Sequence, residues 1–237
     1  MKKITNPVLL TVVALTFIAF FSWIAWEMKS EAVQPPSESR EISKDTVSKI
    51  RIVAFGDSLT AGYNLPLDEA YPALLEQALT RRGENVEVIN SGVSGETSAG
   101  GVRRAEFIRS LEPDIILFGL GGNDALRLLS PGALEGNLIA ALEILRSGEK
   151  PPQVLLIGMR APANADAAYR IAFDSVYPRL AKKYDVPFIP FFLEGVALDP
   201  AFTLADGIHP NKAGYETIVE KTLLPALLPL IEKHENK

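Results

Sequence analysis

The 237-residue chain is 47% hydrophobic and 22% charged with a net charge of −5, the makeup of a globular protein with no basic surplus to recruit nucleic acid. It has no cysteine, which excludes disulfides, thiolate metal sites and a cysteine nucleophile. Its histidines are His209 and His234 alone, far apart, so no histidine-rich metal site is expected and no cofactor is implied.

At the N-terminus, Lys2 and Lys3 precede an uncharged run from Val8 to Trp26. As a helix that run spans roughly 28 Å, close to the thickness of a bilayer core. Trp23 and Trp26 suit a membrane–water interface, and the two lysines favour a cytoplasmic N-terminus. Residues 1–27 therefore read as a transmembrane anchor with the body outside the cytoplasm. A cleaved signal peptide is the competing reading, but its apolar region is usually shorter. The closing Trp-Ile-Ala-Trp-Glu-Met is also a poor cleavage site. Residues 28–49 are polar, carry Pro35-Pro36 and alternate in charge, as a flexible linker does.

Residues 50–237 form the folded domain. Short β-branched runs alternate there with segments of helical period, the pattern of a parallel sheet. Strands are expected at Arg51–Phe55, Val86–Asn90, Ile115–Gly119, Val154–Gly158 and Val186–Phe191. Helices are expected at Ala70–Arg82, Ala99–Ser110, Pro131–Arg146, Ala165–Lys183 and Asn211–Lys233, with Pro225 and Pro229 kinking or shortening the last. The sum is one three-layer α/β/α sandwich, flavodoxin-like, on a five-stranded parallel sheet.

The chemically distinctive residues all follow the C-terminal ends of these strands, where open parallel sheets place ligands. Ser58 follows the first. Alone it reads as a helix cap, but Gly56 and Gly62 permit a tight turn that exposes its hydroxyl. Asp57 holds that turn by local hydrogen bonds. Asp206 and His209 follow the fifth strand in DGIHPN. Spaced three apart on a turn, the carboxylate fixes the imidazole tautomer and leaves the second ring nitrogen for the serine. Gly95 in VSGETS and Asn123 in GLGGND are ordinary turn residues by type. With the Ser58 N–H they supply three donors for an oxyanion. Ser94 is excluded as an elbow nucleophile because Glu96 replaces the closing glycine of that motif.

The blocks AFGDSLTAGY, INSGVSGETS, LGGNDALR, MRAPAN and DGIHPN resemble the SGNH hydrolases, also called GDSL esterases and lipases, from about Arg51 to about Leu230. Within that family the chain is similar to the bacterial thioesterase I, lysophospholipase and arylesterase group. The resemblance implies Ser58 as nucleophile, Asp206 and His209 as orienter and base, and Ser58, Gly95 and Asn123 as the oxyanion hole. It also implies that Leu126, Arg160, Ala161 and Pro162 line the substrate pocket, where Ala161 and Ala165 replace bulkier residues. The activity implied is hydrolysis of aryl, short to medium acyl or lysophospholipid esters, with acyl thioesters a further class. The resemblance implies a soluble periplasmic protein, whereas the N-terminal run departs from it, so the expected location is the bacterial inner membrane with the domain in the periplasm, or the periplasm itself after signal cleavage. An O-acetyl esterase of cell-wall or polysaccharide sugars is the rival within enzymes. A catalytically silent, membrane-tethered binding domain is the rival outside them.

Overall fold

In a computed structural model of the chain, residues 49–236 are described, and the proposed anchor and linker lie outside them. Five strands, β1 (Ile50–Gly56), β2 (Val86–Gly92), β3 (Ile115–Gly119), β4 (Gln153–Ile157) and β5 (Phe188–Ile189), make one sheet in the order β2-β1-β3-β4-β5. Every pairing is parallel. The direction of the order reverses between β1 and β3, which opens a crevice at the carboxyl ends of those two strands.

Period-two alternation sends β1 into two cores. Ile52 and Ala54 join one apolar cluster, Val53 and Phe55 the other. Strand β3 divides likewise, with Ile115 and Leu117 against Ile116 and Phe118, all fully buried. A strand buried on both faces must be covered twice, and helices do the covering. Over one face lie α2 (Tyr71–Arg81), α8 (Lys212–Ile218) and α9 (Leu224–Glu235). Over the other lie α3 (Ser98–Ser110), α5 (Pro131–Leu145) and α7 (Val176–Tyr184). Each fully buried leucine or isoleucine contributes about 1.5–3 kcal/mol relative to exposure.

Three expected elements differ. The fifth strand is two residues long, not six, because Pro187 and Pro190 flank it and neither can donate to a ladder. The helix expected over Ala165–Lys183 is two, α6 (Ala167–Asp174) and α7. Asp166 caps the first through the Tyr169 N–H, and Pro178 leaves the Asp174 carbonyl without its helical donor. Pro225 and Pro229 do not end the last helix. Its backbone stays helical from Lys212 to Glu235 by inserting a π segment at Val219–Leu223 just before Pro225. Two short helices escaped the sequence pattern, α1 (Ser58–Ala61) and α4 (Gly122–Leu126), and both carry site residues. No helix among the described residues is long and apolar enough to cross a membrane.

Candidate active site

Strand β1 ends at Gly56 and turns at once into α1, so Ser58 stands at the head of a helix above the sheet. Asp57 makes the turn possible. Its Oδ1 accepts the Leu59 N–H at 3.0 Å, replacing the partner that the first helical turn lacks.

The DGIHPN loop is folded by its own carboxylate. Asp206 Oδ1 accepts the backbone N–H groups of Ile208 at 2.9 Å and His209 at 3.0 Å. Its Oδ2 lies 2.7 Å from His209 Nδ1. Burial works against the charge on Asp206, but those two N–H groups and the imidazole hold its carboxyl below the ordinary value. An ionised Asp206 keeps the proton on Nδ1 and leaves Nε2 as the acceptor. His209 Nε2 meets Ser58 Oγ at 2.8 Å, across 151 residues of sequence. Asp206 does not cap the following helix. Asn211 does, accepting the Gly214 N–H at 3.0 Å.

The other two expected donors sit in a short helix and a turn. Asn123 lies in α4 and its side-chain nitrogen donates to Asp57 Oδ2 at 3.3 Å. Gly95 is the third residue of a turn closed by the Glu96 N–H on the Val93 carbonyl at 3.1 Å. Its φ of 79° is one that glycine adopts without strain. Glu96, 8% exposed, pairs with Arg104, and Arg127 donates to the Gly95 carbonyl at 2.9 Å.

Ser58, Asn123 and His209 open onto a cleft of about 620 Å³ whose walls are mostly apolar. Leu126, Arg160, Ala161 and Pro162 are among the residues that line it. Asp206 and Gly95 do not: the first stands behind the imidazole, the second in the turn after β2. The sequence missed the far wall, formed by Leu193, Ala197, Leu198 and Ile208 from the segment between β5 and His209. It also missed Tyr63, whose ring centroid lies 4.5 Å from that of His209. Tyr63 ends the GDSLTAGY block, and that position was its one available signal. Among the described residues no cluster of acidic residues and histidines fits a metal ion.

A hydroxyl, imidazole and carboxylate in series, at the open edge of a flavodoxin-ordered sheet, define an α/β serine hydrolase. Residues 54–217 match the GDSL-like lipase/acylhydrolase family, and the chain belongs to it. It is 38% identical over 181 residues to thioesterase 1/protease 1/lysophospholipase L1 of Escherichia coli K12, covering 76% of this chain and 84% of that protein. It is 34% identical over 171 residues to an arylesterase of Vibrio mimicus, covering 72% and 84%. Among solved structures, AlinE4, an SGNH-hydrolase family esterase, superposes with a TM-score of 0.64 at 44% identity over 78% of this chain and 96% of that one. The protein is an ester-hydrolysing serine hydrolase.

Proposed function

We propose that the protein cleaves carboxylic esters, namely aryl esters, short to medium acyl esters and lysophospholipids, and acyl thioesters as a further class, through an acyl-enzyme on Ser58. The observation that carries this reading is the 2.8 Å contact between Ser58 Oγ and His209 Nε2 beneath an apolar cleft. The hydroxyl oxygen attacks the substrate carbonyl carbon while its proton passes to Nε2. The Ser58 and Gly95 N–H groups and the Asn123 amide receive the negative oxygen. Collapse of the tetrahedral intermediate breaks the bond to the leaving group, which takes the proton from His209. Water then attacks the acyl-enzyme, His209 accepts its proton and returns it to Ser58 Oγ, and the free acid departs. Asp206 stays ionised throughout and balances the imidazolium. The mostly apolar cleft favours an acyl or aryl group over a sugar. The relatives named arylesterase and lysophospholipase support the same substrate class.

Fluorophosphonate labelling tests the nucleophile. The natural chain is expected to label and Ser58→Ala to stay blank; equal labelling of both overturns the assignment. A series of aryl esters of rising acyl length tests the substrate class, and strict preference for acetylated sugars overturns it.

Residues 8–26 are proposed to hold the enzyme in the bacterial inner membrane, with the domain on the periplasmic side. The support is the uncharged run behind Lys2 and Lys3 and the two tryptophans that close it. The full-length chain is expected to resist extraction by alkaline carbonate. Release of a chain shortened by about 25–30 residues refutes the anchor in favour of signal cleavage.

A further inference from the structure

Asp57 is 3% exposed and stands directly before the nucleophile, yet the reaction as written gives it no part. Its oxygens are divided: Oδ1 serves the Leu59 N–H, and Oδ2 serves the Asn123 amide. A primary amide has opposite ends of nearly equal shape, a donor –NH2 and an acceptor oxygen. Half a turn about the last side-chain bond of Asn123 exchanges them. An ionised carboxylate only accepts, so against it the –NH2 end is bound and the oxygen end is repelled. In the protonated carboxyl the proton sits on Oδ2, because Oδ1 is held by the Leu59 N–H, and that O–H donates to the oxygen of the reversed amide in preference to meeting the –NH2 end. Reversal presents the Asn123 oxygen, in place of a donor, to the developing oxyanion.

We propose that ionised Asp57 is a positioning residue that selects the donor end of the Asn123 amide, so that one proton on Asp57 disables the oxyanion hole. The inference rests on the reading of Asn123 as an oxyanion donor.

The surroundings of Asp57 make that proton accessible near neutral pH. From its own helix come the Leu59 N–H and Thr60, and from α2 the Tyr71 hydroxyl, 3.3 Å from Thr60 Oγ1. From the end of β3 comes Gly119, from α4 Asn123, from beyond β4 Met159, and from beyond β5 Phe192. A space of about 10 Å³, enough for one water, lies among them. The titratable group facing Asp57 is His209, with Asp206 behind it; Tyr177 and Tyr215 stand further off. No lysine or arginine pairs with Asp57 among the described residues. Burial pushes its carboxyl up to about 6, against the Leu59 N–H, the Asn123 amide and His209, which pull it down. Acid therefore removes the ionised Asp57 that holds the Asn123 amide.

The test is kcat/KM of the full chain on a soluble aryl ester, p-nitrophenyl butyrate, from about pH 4.5 to 8, with circular dichroism confirming the fold at each pH. The acid limb of the natural chain is expected to be steeper than that of Asn123→Ala by close to one logarithmic unit per pH unit. Asp57→Asn is expected to lower kcat roughly tenfold or more with KM changed less than about twofold. Added to Asn123→Ala, the same change is expected to cost less than about twofold. Equal acid-limb slopes in the natural chain and Asn123→Ala overturn the inference, as does an Asp57→Asn loss of equal size in both backgrounds. If Asn123→Ala is as active as the natural chain, the donor reading fails and takes this inference with it. If Asn123→Ala is impaired and the two losses multiply, the inference alone fails. Should Asp57→Asn not fold, the slopes of the natural chain and Asn123→Ala decide the matter.

Discussion

Asp57 and Asp206 are two carboxylates within one site, and their environments drive them in opposite directions. Solvent-accessible Asp206 is held below the ordinary aspartate range by N–H groups and imidazole, so its ionised form is the one the fold favours. Asp57, buried and with no lysine or arginine partner among the described residues, is pushed from 3.8 to about 6. Between those values the folded chain holds a proton that the unfolded chain has released. The Asp57 contribution to stability therefore falls as pH rises through that window and is adverse at neutral pH. A shift of that size corresponds to about 3 kcal/mol. Asp57→Asn is expected to raise the urea midpoint at pH 7.5, with the advantage shrinking toward pH 4.5. A lower midpoint at pH 7.5 would show that the lost Asn123 and Leu59 contacts outweigh the relieved charge.

At the scale of elements, α4 is held by a partner remote in sequence. Thr97, at the N-cap of α3, makes no capping bond of its own. Asp124 supplies one from α4, accepting the Ser98 N–H at 2.8 Å and the Ser98 hydroxyl at 2.6 Å. Asn137 of α5 donates to the same hydroxyl oxygen at 2.9 Å. Three helices thus meet at one buried carboxylate, next in sequence to Asn123. Asp124→Ala leaves the Ser98 N–H buried without an acceptor and is expected to cost about 2–4 kcal/mol in urea unfolding. Gly121, just before α4, is equally constrained. Its φ is 117°, and a Cβ there would lie 2.1 Å from the Tyr177 hydroxyl, which donates to the Leu120 carbonyl.

What the sequence discloses at this scale depends on how local the cause is. Strands β1 to β4 were readable because β-branched runs flanked by turn residues admit few other structures. Asp206 and His209 were readable because carboxylate and imidazole meet within one turn. The end of β5, the break at Ser175 and the π segment all follow from prolines whose effect depends on which carbonyl they face. Arg127, Tyr63 and the Leu193–Leu198 wall were not readable, because their partners lie far off in the chain and only the folded sheet brings them together.

The molecule as a whole sets the size of what enters. Ala125, Ala161, Ala163 and Ala197 leave the cleft wide where larger side chains would divide it. Ala161→Phe is expected to lower kcat/KM for a decanoyl aryl ester by roughly tenfold or more, since each excluded methylene removes about 1 kcal/mol of apolar contact. Acetyl ester turnover is expected to change less than about twofold. Equal losses on both substrates would place the acyl chain elsewhere.

The bond between Ser58 and His209 joins the first strand to the approach of the last helix. A nascent chain that has already arranged β1 through β4 still lacks its base. It stays inert toward every ester it passes until the C-terminal segment has been synthesised and docked. Turnover thus reports on completion of the fold, and any loosening of the final loop extinguishes activity while the central strands remain paired.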